Sequence, residues 1–195
     1  AAALVADGRI ETIAGLNDLP DGETIALDCG ILAPGFIDAQ VNGGAGRMLN
    51  DEPSPASMYR IAEGHRPYGT TSLLPTLITD TGEATVAAID AAKEAVKANR
   101  GVVGLHLEGP HLAPSRKGAH LAELMRPVDD SDVKALAAAA EAIGTLLVTM
   151  AAEQVTERQV RELSEAGVTV SIGHSDCSSE AAEARFDAGA RGVTH

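Results

Sequence analysis

The chain is poor in aromatic residues: Phe, Tyr and Trp make up 2% of its 195 residues, and Trp is absent. Its core must therefore rest on Ala, Val, Ile and Leu. Basic residues are also scarce. Fifteen Lys and Arg against 28 Asp and Glu leave a formal net charge of −13. No field draws such a chain to phosphate polymers or anionic membranes, which argues against both as partners. A small anionic ligand needs only a local cluster of donors and stays open. There are two cysteines, Cys29 and Cys177, and neither belongs to a CxxC pair. This speaks against a zinc knuckle or a thioredoxin-type site and for two free thiols in a reducing compartment. No apolar run approaches the roughly 20 residues of a membrane helix, and no basic segment leads into one. The expectation is a soluble, cytoplasmic protein.

The turn signals divide the chain. In the first thirty residues Leu4-Val5-Ala6 runs into Asp7-Gly8, a hairpin signal, and Arg9 to Ile13 follows as its partner. Pro20-Asp21-Gly22 reads as a second turn and Thr24 to Leu27 as a third short strand. Residues 1–33 are thus expected to form part of a small β-sandwich domain. From there the pattern alternates. Strand-like runs fall at 35–41, 71–78, 102–107, 145–150, 168–172 and 192–195. Helix-like stretches fall between them, at 57–68, 83–99, 129–143, 156–166 and 178–188, several opening on Ser, Thr or Asp and closing on Gly.

Strands alternating with helices predict parallel βαβ units, in a doubly wound sheet or in most of a (β/α)₈ barrel. The polar residues decide between them. Asp38, Gln40 and Asn42 follow the first strand, Glu108 closes the third, His174 follows the fifth and His195 lies on the sixth. Polar groups at several strand ends, converging on one face, are the barrel's arrangement. An open sheet would gather them at one switch point. Residues 34–195 are read as a TIM-barrel hydrolase domain, incomplete after about six strands.

His106 and Glu108, two apart on a strand, share one face. A carboxylate there suits a divalent ion, and it suits equally an interior carboxylate neutralised by Lys or Arg. His174 and His195 at adjacent strand ends tip the balance. A Glu with two His and an open position for water is a ligand set of hydrolytic metal sites.

The runs Pro34–Gly44, Leu74–Thr79, His106–Pro110, Lys117–His120, Gly173–Ser175 and Thr194–His195 together resemble the N-acetylglucosamine-6-phosphate deacetylase family of the amidohydrolase superfamily. Gln40 and Asn42 stand where most members of that superfamily carry His-x-His. The resemblance implies a metal-dependent hydrolase that splits the acetamide of an amino-sugar phosphate and works as a homodimer. It implies Glu108, His174 and His195 as ligands of one divalent ion, Zn²⁺ foremost with Fe²⁺, Co²⁺ or Mn²⁺ as alternatives. Ala119 (through its backbone), His120 and Gln40 are implied to contact the substrate. The general-base Asp, a phosphate-binding Arg and a His from the neighbouring subunit are expected outside residues 1–195. Taken without the resemblance, His120 is a surface loop histidine and His65 a structural one. Arg116 and Lys117 are candidate charges beside a phosphate or simply solvated. His111 stands where the family usually has an apolar aromatic. Two rivals remain: another amidohydrolase acting on a different amide, and a non-catalytic or scaffolding fragment.

Overall fold

The computed structural model describes residues 1–18, 22–28, 30–98 and 100–195. It divides into two compact units, Ala1–Pro34 and Gly35–His195. The first contains an antiparallel hairpin, β1 (Ala2–Ala6) with β2 (Arg9–Ala14). Asp7 and Gly8 both take positive φ, 49° and 75°, the backbone a two-residue hairpin turn requires. The expected strand at Thr24–Leu27 does not form. A strand needs a partner ladder, this segment has none among the described residues, and Ile25 and Leu27 are exposed. The expected turn at Pro20-Asp21-Gly22 falls mostly outside the described residues, as does Cys29; Cys177 is a free thiol.

The second unit alternates strand and helix. Its elements are β3 (Phe36–Val41), a small hairpin β4 (Gly43–Gly44) and β5 (Arg47–Met48), α1 (Pro55–His65), β6 (Thr70–Ile78), α2 (Gly82–Ala95), β7 (Leu105–Glu108), α3 (Asp130–Ile143), β8 (Leu146–Met150), α4 (Glu157–Glu165), β9 (Val168–Gly173), α5 (Ser179–Asp187) and β10 (Gly192–Thr194). Each helix opens on a side-chain cap: Ser54, Thr81, Asp129, Thr156 and Ser178 accept from backbone N–H groups of the first turn. Helix α1 stops at His65 because Pro67 has no N–H to continue it; the expected extension to Tyr68 is a tighter turn ending at Gly69, φ 93°. The third strand begins at Leu105 and not at Val102. Val103 bonds Leu73, Leu105 already bonds Thr145, and the ladder changes partner between them.

Six strands form one parallel sheet in the order β10-β9-β8-β7-β6-β3. The order is strictly sequential, so there is no switch point. Side-chain contacts show that the sheet curls. Adjacent strands lie about 4.8 Å apart, so β7 and β10 would be roughly 14 Å apart on a flat sheet. Yet Glu108 at the end of β7 reaches His195, just past β10, at 3.0 Å. Thr149 of β8 and Thr194 of β10, two strands apart, meet at 2.8 Å. This is the wall of a (β/α)₈ barrel.

The period-2 pattern sorts the side chains. Leu105, Leu107, Leu146, Val148, Met150, Val168, Val170 and Ile172 pack in the core shared with the helices. Their alternates Thr76, His106, Glu108, Thr149 and Ser171 turn to the other face and are all buried. Ala-rich helix faces replace aromatics: Ala88, Ala91, Ala92 and Ala95 of α2 and Ala139 and Ala140 of α3 are buried, which lets these helices sit close to the sheet. Among the described residues no helix is long and apolar enough to cross a membrane.

Leu163 of α4 is fully buried in this core and away from the strand ends. Leu163→Ala is expected to lower stability by about 2–5 kcal/mol in denaturant titration. A loss below about 1 kcal/mol would mean that α4 is not packed as described.

Candidate metal centre

Glu108 is 2% exposed at the end of β7. Its neighbours decide what it is for. Among the described residues three histidines and no Lys or Arg lie within ion-pair range of it. The alternative of a carboxylate neutralised by Lys or Arg is therefore not what the chain builds. Oε1 lies 3.1 Å from His174 Nε2 and 3.0 Å from His195 Nε2, and the two Nε2 atoms are 3.1 Å apart. On the far side His120 Nε2 is 3.7 Å from Oε2. Burial raises the Glu108 pKa, but the imidazoles of His120, His106, His174 and His195 outweigh it, and the net direction is down. The group is a carboxylate.

Tautomers follow from the partners. His174 Nδ1 faces the Arg116 carbonyl at 2.7 Å. A carbonyl only accepts, so Nδ1 carries the proton and the Nε2 lone pair points at Glu108. His120 is the reverse case. Its Nδ1 lies 2.8 Å from the Thr79 hydroxyl, which can give or take a proton, and 3.2 Å from the Thr79 backbone N–H, which can only donate; accepting that N–H puts the ring proton on Nε2, facing the site. Glu108, His120 and His174 also lie close enough together to be taken for a metal triad. The hydrogen bonding favours Glu108, His174 and His195 instead, because His120 offers an N–H where a ligand must offer a lone pair. No partner at Nδ1 fixes the His195 tautomer among the described residues. Three such atoms with edges of about 3 Å suit a common cation about 2 Å from each once His195 Nε2 is unprotonated, which is the fit a zinc-type ion requires.

Several loops hold this geometry. After β9 the chain turns at His174, φ 49°. Glu153 accepts from the Ser175 hydroxyl and the Asp176 N–H, and Asp176 pairs with Arg116. The Arg116 guanidinium is thus engaged by Asp176, and its carbonyl steadies His174. Lys117 is exposed and bonds the Gly118 carbonyl. Gly109 (φ 90°) lies so close to Thr79 that a Cβ would strike its hydroxyl. That approach seats Thr79 under His120.

His120 was expected at the surface and is 5% exposed, packed edge-on against His174. The loop after β7 folds back over the strand ends, which a loop sequence does not reveal. Ala119 is exposed on the same loop. Gln40 is half-buried at the end of β3, its backbone N–H held by Asp38. No side-chain hydrogen bond joins Gln40 or Asn42 to the cluster among the described residues. His65 bonds the Gly43 carbonyl, a structural role as expected. His195 was read on the last strand; the strand ends at Thr194, and His195 turns inward with φ 66°. Sequence reasoning missed the supporting residues Thr79, Thr149 and Thr194. Their one signal is that each follows or lies on a strand facing the interior. A separate cleft of about 460 Å³ between α2 and α3 lies on the helix side of the sheet. The charged Arg126 at its rim is already paired with Asp132, and it presents no convergent donors.

The chain has recognisable relatives. Residues 31–195 match the amidohydrolase family model. The chain belongs to the amidohydrolase family. It is 39% identical over 170 residues to an N-acetylgalactosamine-6-phosphate deacetylase of a Shewanella species, covering 87% of this chain and 43% of that protein. It is 35% identical over 196 residues to an N-acetylglucosamine-6-phosphate deacetylase of Haemophilus influenzae, covering 99% and 51%. A crystal structure of N-acetylglucosamine-6-phosphate deacetylase from Pasteurella multocida superimposes with a TM-score of 0.78 at 34% identity, over 83% of this chain and 42% of that one. The chain spans about half the length of the relatives it matches. In this amidohydrolase the six strands correspond to part of the complete barrel.

His111, where the family resemblance leads one to expect an apolar aromatic, is 3% exposed and donates Nδ1–H to the Arg126 carbonyl at 3.0 Å. Burial lowers its pKa, against the raising effects of that bond and of Asp132. An unfolded histidine titrates near 6.5. The folded state therefore keeps this contribution to stability above about pH 6.5 and loses it as the pH falls toward the depressed folded value. Between pH 7 and pH 5 the protein should lose stability more steeply than His111→Phe, by at most about 1.4 kcal/mol per pH unit for one proton. Urea titrations at both pH values measure it; equal slopes would show that His111 is not held neutral.

Proposed function

We propose that this chain forms the metal-holding part of a deacetylase that hydrolyses N-acetylglucosamine 6-phosphate to glucosamine 6-phosphate and acetate. One observation carries the reading: Glu108 Oε1 and the Nε2 atoms of His174 and His195 converge to within 3.0–3.1 Å of one another, with the His174 lone pair turned inward by the Arg116 carbonyl. These three would hold one divalent ion, Zn²⁺ first and Fe²⁺, Co²⁺ or Mn²⁺ as alternatives for such a donor set. When bound, the ion would supply Lewis acidity toward a carbonyl oxygen and lower the pKa of a water.

His120 does different work. Its Nε2–H, locked outward by Thr79, donates to the amide carbonyl oxygen and to the oxyanion that develops there. Its neighbour Ala119 offers its backbone to the sugar from an exposed loop, and Gln40 lines the same face at the end of β3. The proton-accepting Asp and the phosphate contacts belong to residues outside 1–195. The resemblance extends the reading to a homodimer in the cytoplasm. A second substrate is favoured by one observation. The 39%-identical Shewanella protein is named for the N-acetylgalactosamine 6-phosphate reaction, so the epimer at C4 is a candidate for the same site.

Acetate release from both sugar phosphates, assayed in a protein carrying this chain at the length of its relatives, tests the proposal. A chelator should abolish turnover and added divalent ion restore it. Glu108→Gln and His174→Ala should lose bound metal and at least about 100-fold in kcat/KM. His120→Asn should keep its metal and lose about 10²–10³-fold in kcat. The proposal fails if the metal-loaded protein releases acetate from neither sugar. The division of roles fails if His120→Asn loses its metal as Glu108→Gln does.

A further inference from the structure

His195 is the weakest-held member of the cluster. Its side chain is half-exposed, and the three-residue strand β10 that delivers it has Val193 70% exposed. Little packing fixes that strand end. What reaches it from inside is a line of hydroxyls.

Thr194 Oγ1 lies 2.6 Å from Ser171 Oγ and 2.8 Å from Thr149 Oγ1. Thr149 Oγ1 lies 2.8 Å from His106 Nε2, and His106 Nδ1 lies 3.3 Å from Thr76 Oγ1. Thr76 in turn donates to the Leu74 carbonyl and accepts from the Val41 N–H. The line thus runs from β9 through β10, β8 and β7 to β6 and ties in β3. His106 is fully buried with a hydroxyl within 3.3 Å of each ring nitrogen, and a neutral imidazole there offers one donor and one acceptor. One direction satisfies every hydroxyl: Ser171 donates to Thr194, Thr194 to Thr149, Thr149 to His106 Nε2, His106 Nδ1–H to Thr76, and Thr76 to Leu74. In the opposite direction the Ser171 hydroxyl would have no acceptor among the described residues. Thr149 is the keystone: among the described residues it alone bonds both His106 and Thr194.

We propose that Thr149 is a positioning residue for the metal centre: through Thr194 it fixes the end of β10 and so aims His195 at Glu108 and His174. This rests on the reading of His195 as an ion ligand. Buried hydroxyls in such a line are also mutually dependent, so losing one leaves its neighbours unpaired.

The test is Co²⁺ binding, read by titration and by the visible absorption of the bound ion, whose band follows ligand geometry. Thr149→Val keeps the side chain's shape and removes the hydroxyl. It should bind Co²⁺ about tenfold more weakly, in the range of lost outer-shell partners, with a changed absorption band. Thr149→Ser, which keeps the hydroxyl, should restore both. Thr194→Val breaks the line at the other end, at a less buried position, and should give the same loss even if Thr149→Val fails to fold. If the parent binds Co²⁺ and both Val variants match its affinity and spectrum, or if Thr149→Ser behaves as Thr149→Val does, the positioning role is overturned. If the parent binds no Co²⁺, the metal reading itself falls and this proposal falls with it.

Discussion

Glu108 on β7 meets a histidine carried by a strand three places away, and the rest of the molecule is arranged around that contact. It can occur only on a curled sheet, because a flat one would hold the two strands about 14 Å apart. Curling in turn requires small, polar or β-branched residues on the inner face and aliphatic residues on the outer one. The chain supplies both by alternation on β7 and β9 and, Leu147 apart, on β8. Helices covered with Ala close the outer face at short range, which is how a chain with so few aromatics still makes a tight core. Fold and site are therefore one constraint: the same inward side chains that allow the curl are those that carry the chemistry.

Four histidines surround one carboxylate, and their roles separate by what holds the far side of each ring. A backbone carbonyl behind His174 leaves a lone pair facing the site. A backbone N–H behind His120 leaves a proton facing it. His106 is turned away into the hydroxyl line. His195 keeps its choice of tautomer and depends on its strand for direction. On the proposed reading, chemically similar rings thus serve as a ligand, a hydrogen-bond donor, a structural link and a second ligand. An amide carbonyl placed between the ion and His120 would be polarised from two sides, which is the arrangement amide hydrolysis needs.

Much of this was legible in the residues. The alternation of strand and helix, the caps that open the helices and the placing of Glu108, His174 and His195 at strand ends follow from periodicity and spacing. The resemblance carried the reading from a hydrolytic metal site to an amino-sugar deacetylase. What was not legible depends on tertiary contact. Thr24–Leu27 has the composition of a strand but no partner ladder. His120 looks like an exposed loop residue until the loop folds back onto Thr79. Arg116 looks like a free cation until Asp176 takes it. The hydroxyl line could not be seen, because Thr76, Thr149, Ser171 and Thr194 are ordinary strand residues until the curl brings them together.

On the proposed reading Glu108, His174 and His195, and not His120, hold one divalent ion. Anomalous diffraction from crystals grown with Zn²⁺ measures this directly. A single strong peak bonded to Glu108 Oε1 and to Nε2 of His174 and His195 is expected, with His120 Nδ1 still on the Thr79 amide. No peak at Glu108, or a peak bonded to His120 with His195 turned away, would contradict it.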